Sequence, residues 1–134
     1  MYLGLDMLFR SMKINQIDEK PICGEGGRSL GVRPDDIHVD KDRSVHPQTG
    51  GMSVFDDPVH LPKHRKPKWM IGGEGRDNLF EIDAQFISGE IVARNNGTQG
   101  HVLVEPSVDC LYSVYATAIC NTRSYWRKIL CLKP

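Results

Sequence analysis

An arginine, a serine, an aromatic ring and a histidine carry the chemistry on offer in this chain. Ser53 stands in Val45-His46-Pro47-Gln48-Thr49-Gly50-Gly51-Met52-Ser53-Val54-Phe55-Asp56, at the start of a short apolar strand. Two adjacent glycines allow positive φ and a close approach of backbone to a ligand. Side chains on a strand alternate, so Ser53 and Phe55 share a face. A hydroxyl, a tight glycine turn and a flat ring suit a nucleotide or a nicotinamide ring. The competing reading is a hairpin turn that feeds a core strand. Arg10 lies among Leu8, Met12 and Ile14 on the apolar face of a first strand. A charge so placed needs an anionic partner, either an internal carboxylate or a ligand phosphate. His101 opens the apolar strand His101-Val102-Leu103-Val104. It is the best late-strand candidate for the site, against the alternative of a hydrogen-bonded surface histidine. Glu105 points the same way along that strand but lies about 13 Å beyond it at ~3.3 Å per residue. One ligand atom therefore cannot meet both side chains, and Glu105 before Pro106 also suits a helix cap.

These residues need a scaffold, and the pattern predicts a mixed α+β domain over residues 1–134 with a small mixed or antiparallel sheet. Met7 to Ile14 reads as the first strand. Leu79 to Asp83, Ile91 to Arg94 and His101 to Glu105 read as later ones, parted by glycine and asparagine turns. Asn95-Asn96-Gly97 is a strong turn signal. Asp18 to Pro47 reads as irregular, with Gly24, Gly26, Gly27 and Gly31 in a loop or flap that lacks a dinucleotide fingerprint. Leu111, Val114, Tyr115, Ala118, Ile119, Thr122, Trp126 and Ile129 follow the helical period and predict one strong C-terminal helix. Pro106, Ser107 and Asp109 would start it. Arg123, Arg127 and Lys128 would complement its dipole.

Composition narrows the function class. Seventeen basic and seventeen acidic residues cancel, so no global field draws nucleic acid or a membrane. No apolar run approaches the roughly 20 residues that span a bilayer. Met1 to Asp6 has no basic leader, which argues against a cleavable secretory signal. Cys23, Cys110, Cys120 and Cys131 show no Cys-x-x-Cys spacing and read as thiols in a reducing compartment. A zinc site from Cys23, His60 and His64 would need a helix that Pro58, Pro62 and Pro67 oppose, so no metal is expected. The basic stretch from His60 to Lys68 reads as a solvated loop or a phosphate contact.

The glycine-serine segment resembles a signature of small type VI secretion toxins with an ADP-ribosyltransferase-like fold, in which it runs approximately Tyr-Ala-Pro-Asp-Thr-Gly-Gly-Thr-Ser-Val-Phe-Asp. Pro47, Thr49, Gly50, Gly51, Ser53, Val54, Phe55 and Asp56 match. Leu8-Phe9-Arg10 resembles the family's first-strand Leu-Tyr-Arg. His101 and its strand resemble a late Thr-His-Tyr-Thr-Ile, and Pro106 to Lys128 resembles the C-terminal helix. The likeness runs along nearly the whole chain, with the glycine-serine motif as its specific part.

The resemblance implies a bacterial cytotoxic effector that uses NAD, transferring ADP-ribose or cleaving the nicotinamide bond. It implies Arg10, Ser53 and His101 as catalytic residues. It implies Arg10, Thr49, Gly50, Gly51, Ser53 and Phe55 as the NAD contacts. Its expected partners are a cognate immunity protein, a secretion-apparatus component and a macromolecular target, with no membrane and no specific nucleic acid. The producer's cytoplasm and then the target cell's cytoplasm are the implied locations. Two departures stand out: Met52 replaces the family's threonine, and no Glu-x-Glu occurs. They favour the alternative, a non-enzymatic binding protein on the same scaffold, because fold alone does not set activity. Transfer of a 2′-phosphate from RNA to NAD is a third reading, opposed by neutral charge and the lack of a histidine-arginine tetrad.

Overall fold

Alternating burial along the strands builds the molecule. The computed structural model describes residues 6–131, so most of the N-terminal stretch read for a secretory signal lies outside the described residues. Eight strands form: β1 (Met7–Met12), β2 (Ser44–Val45), β3 (Met52–Phe55), β4 (Asn78–Asp83), β5 (Ile91–Asn95), β6 (His101–Pro106), β7 (Cys110–Leu111) and β8 (Arg127–Ile129). The helix α1 (Tyr112–Cys120) lies between β7 and β8. Six strands make an antiparallel sheet in the order β5-β6-β3-β1-β4-β8, and β2 pairs with β7 in a ribbon of its own. The fold is α+β with an antiparallel sheet and a helix near the C-terminus.

The period of two fills both faces. Leu8, Met12, Met52, Val54, Phe80, Ile82, Val102 and Val104 lie on one face with Tyr115, Ile119 and Trp126 packed on them. Phe9, Phe55, Leu79 and Ile129 lie on the other, against Leu61 and Met70 of the proline-punctuated loop. Tyr115 also ties helix to sheet by its hydroxyl, which donates to Val104 O at 2.5 Å and accepts from Met52 N at 3.3 Å. Burial pushes the Tyr115 phenol far up, so it stays protonated and keeps donating.

Between β1 and β3 the sheet is barely closed. Phe9 opposite Phe55 is their one paired position. Beyond it the strands part, and Arg10 enters the gap and donates to Ser53 O at 2.7 Å.

The C-terminal helix is shorter than the apolar stripe predicts. Pro106 ends β6, and Ser107 and Asp109 precede β7, so none of them starts the helix. Leu111 stands at its N-cap without a side-chain cap, and α1 stops at Cys120. Thr122 then donates to Ile119 O and accepts from Trp126 Nε1, which turns the chain through a 3-10 segment (Arg123–Tyr125) into β8. Leu111 and Val114 are exposed, and Ile129 belongs to a strand. Nor do Arg123, Arg127 and Lys128 complement a helix dipole: they pair with Asp18, Glu81 and Glu19.

The cysteines differ from expectation too. Cys23 and Cys120 form a disulfide with their Cα atoms 5.7 Å apart, while Cys110 and Cys131 stay free. The bridge clamps the end of α1 to the glycine-rich loop. Spacing along the chain carries no trace of it, because tertiary packing brings the two sulfurs together.

His46 anchors the turn that leads into the glycine-serine motif. Its ring nitrogens face Asp40 Oδ2 at 2.6 Å and Asp109 Oδ1 at 2.8 Å, and His38 shares Asp40 at 3.0 Å. The two hydrogen bonds, Asp40's first, raise the His46 pKa from 6.5 to about 8. A raised pKa stabilises the fold fully below the unfolded value and loses that contribution as pH climbs through the folded value. Wild type should therefore melt above His46→Gln at about pH 6 and converge with it beyond about pH 8.5, as thermal unfolding across that range will show.

Candidate functional site

The parting of β1 and β3 opens onto a cavity of about 380 Å³, within the roughly 300–1,000 Å³ of small-molecule sites. Its floor is Arg10, Ser11, Ser53 and Phe55 from the sheet, with His101 at the rim. The glycine loop, the Pro58–Arg65 segment and the tip of the β5–β6 hairpin close the sides. Arg10, Ser53, Phe55 and His101 thus line one cavity.

Arg10 is 8% exposed and hydrogen-bonds no carboxylate among the described residues. Its Nε and Nη2 donate to Ser29 O at 3.1 and 2.8 Å. Nη2 also reaches Gly27 O at 3.2 Å and Gly31 O at 3.4 Å. A ring of backbone carbonyls therefore orients the guanidinium without neutralising it. Burial, and next the positive charge of Arg65, pull its pKa down to about 10, which still leaves it charged at neutral pH. Arg33 pairs with Asp36 on the cavity wall, whereas Arg65 makes no ion pair among the described residues. The result is a floor with surplus positive charge. Beside it the Ser11 hydroxyl is buried without a hydrogen-bond partner among the described residues, a group that a ligand's polar atom would satisfy.

Ser53 and His101 form a directed chain. The Thr98 amide donates to Asn96 Oδ1 at 3.1 Å, which turns the Asn96 amide nitrogen toward His101 Nδ1 at 2.5 Å. That nitrogen is then the acceptor, so the proton of neutral His101 sits on Nε2 and is donated to Ser53 Oγ at 2.9 Å. Burial lowers the His101 pKa and favours this neutral form. In it His101 is not a base toward Ser53. The hydroxyl instead accepts from the ring, and its own proton remains free to donate to a ligand. Phe55 stacks on His101 with centroids 5.2 Å apart and 28° between the planes, which fixes the ring.

The rest of the motif does structural work. Thr49 Oγ1 donates to His46 O at 2.8 Å. Gly50 has φ 122°, and a Cβ there would stand 2.1 Å from Asp36 O; one on Gly51 would stand 2.4 Å from Val104 O. Thr49, Gly50 and Gly51 do not line the cavity. Their close approaches are to the protein's own backbone, which sets the entry of β3 and hence the position of Ser53. Glu105 is buried, pairs with Arg94 at 2.9 Å and lies away from the cavity.

Sequence reasoning missed Asn96, which reads only as a turn residue, and the carbonyl ring around Arg10, since main-chain acceptors leave no mark in a sequence. The basic stretch that reads as a solvated loop or a phosphate contact places His60, His64 and Arg65 in the cavity lining. Compared with known proteins, the chain matches no family model, no curated protein and no solved structure.

Proposed function

We propose that this chain is an ADP-ribosyltransferase-like toxin domain that binds NAD in the cavity and transfers ADP-ribose or hydrolyses the nicotinamide bond. The observation that carries the reading is the buried Arg10 guanidinium, which has no carboxylate partner among the described residues, beside the Ser11 hydroxyl, which has no hydrogen-bond partner among them. A pyrophosphate supplies the missing anion. The free proton of Ser53 then suits a ribose oxygen, and the Phe55 ring in the cavity lining suits the nicotinamide. A preorganised donor stabilises charge as the glycosidic bond breaks.

Action inside bacterial cells, export by a secretion apparatus, a macromolecular target and a covering immunity protein belong to the same proposal through the motif resemblance. In a reducing cytoplasm Cys23 and Cys120 would stand as thiols; an oxidising compartment preserves the bridge. The second reading, a binding protein without catalysis, draws on the absence of glutamate from the cavity lining among the described residues.

NAD at a hundred times its Kd should stabilise the protein by about 2.7 kcal/mol. Ser53→Ala should keep the fold and lower NAD turnover by about 10²–10³-fold, with relief of growth arrest on induced expression in bacteria. Protection by NAD without turnover in wild type would select the binding reading.

A further inference from the structure

Besides His101, the cavity is lined by a second imidazole, His60, held in the reverse polarity. His60 closes a 3-10 turn (Pro58–His60) in which the Val59 amide donates to the Asp57 side chain at 3.0 Å. Its ring lies against the hairpin tip, where a Cβ on Gly100 would fall 2.0 Å from Nδ1 and 2.4 Å from Cγ. Only glycine admits the ring there. Asp56 Oδ1 stands 3.4 Å from the same Nδ1, and the Asp56 amide donates to Gly100 O at 3.0 Å. The contact is long, of the kind that tightens when a ligand closes a site. An ionised carboxylate only accepts, so the Nδ1 edge carries the proton in neutral His60 and Nε2 keeps its lone pair. With the Nδ1 edge turned to Asp56 and Gly100, the Nε2 edge is the part of the ring left to line the cavity.

Carboxylate-oriented histidines of this form act as general bases. His101, held by Asn96, is a donor; His60, held by Asp56, is an acceptor. We propose that His60 is the catalytic base of this site, with Asp56 as its positioning residue. The inference rests on the NAD reading above. The oxygen of a water, or of an acceptor hydroxyl, bonds to C1′ of the nicotinamide ribose. The C1′–N bond breaks, and its electron pair goes to the nicotinamide ring nitrogen. The oxygen's proton passes to His60 Nε2 and then to solvent. The products are free nicotinamide, ADP-ribose on oxygen and one proton, so atoms and charge balance without another reactant.

The test is nicotinamide release from NAD by the full chain, comparing wild type with His60→Ala, His60→Gln and Asp56→Asn. NAD binding is read in parallel by thermal shift. His60→Ala and His60→Gln should lower kcat by about 10²–10⁴-fold while NAD still protects both proteins and KM stays within about threefold. Added imidazole should restore His60→Ala, into whose space it fits, and not His60→Gln. Asp56→Asn should lower kcat by roughly tenfold, within the range for orienting partners. A His60→Ala or His60→Gln variant with wild-type kcat, or a loss in His60→Ala that imidazole does not restore, overturns the proposal alone and leaves the NAD reading standing. Absence of NAD turnover in wild type overturns both.

Discussion

Replacement of Arg10 by methionine is expected to cost about 3–5 kcal/mol of folding free energy, because it removes several hydrogen bonds from a charged donor, each worth about 1.5–3 kcal/mol. The carbonyls of Gly27, Ser29, Gly31 and Ser53 converge on this one guanidinium. Methionine fills the volume but leaves those oxygens without a donor, and a buried polar group without a partner costs about 1–3 kcal/mol. Water from the cavity would reach some of them, so the sum falls short of four full penalties. Urea unfolding should show the loss in the midpoint at constant slope. The glycine loop and β3 would also drift apart, because Arg10 is the brace across the gap between β1 and β3. NAD protection should vanish with the anion's counter-charge. Arg10→Lys keeps the charge, but three donors on one nitrogen cannot span carbonyls set around a planar fork. It should recover part of the NAD protection and less of the stability. A methionine variant as stable as wild type would show that the brace contributes nothing.

The other large effect lies at the Cys23–Cys120 bridge. Its partners are separated by 97 positions, and a link closing a loop of about 100 residues restricts the unfolded chain by up to about 4.7 kcal/mol. Cys23→Ser with Cys120→Ser should lower stability by about 2–5 kcal/mol. For a chain of this length that means a fall in Tm of roughly 10–20 °C. Cys131→Ser should change little, since that thiol is free and exposed. The bridge also bears on the site. Cys23 leads directly into the loop whose carbonyls hold Arg10, so reduction should weaken NAD protection as well as stability. Calorimetry of oxidised and reduced protein, each with and without NAD, separates the two effects. Equal melting of both forms would remove the bridge from the account.

What the residues announced in advance follows from short-range physics. The alternation in Met52–Phe55 and His101–Pro106 and the turn at Asn95-Asn96-Gly97 were legible because they depend on strand period and turn chemistry. The meeting of Arg10 with Ser53 and His101 is expected only from the family resemblance and facing, and it comes about because β1 and β3 part beyond Phe9 and Phe55. The helix end was not. Thr122 and Trp126 continue the helical spacing, yet the indole's hydrogen bond to Thr122 turns the chain into β8. Glycines in the motif were legible as necessary and misread in purpose: Gly50 and Gly51 make room for Asp36 and Val104 rather than line the cavity. The disulfide, the carbonyl ring and the polarity of the two histidines depend on side chains and backbone brought together by tertiary packing. Position along the chain does not encode them.

The strand order has a consequence for how the molecule assembles. In the main sheet, only the β5–β6 hairpin joins neighbours in sequence. The remaining ladders join Phe9 with Phe55, Ser53 with Leu103, Leu79 with Ile129 and Leu8 with Ile82. High contact order places folding in the millisecond-to-second range, since distant segments must meet before contacts reward them. The Asn96–His101 arm can form early within its hairpin, and Arg10 can meet the carbonyls of Gly27, Ser29 and Gly31 across 17 to 21 positions. Ser53, by contrast, must be brought to Arg10 across 43 positions and to His101 across 48. The two halves of the site are therefore built separately, and the slow step is the one that seats Ser53 between them.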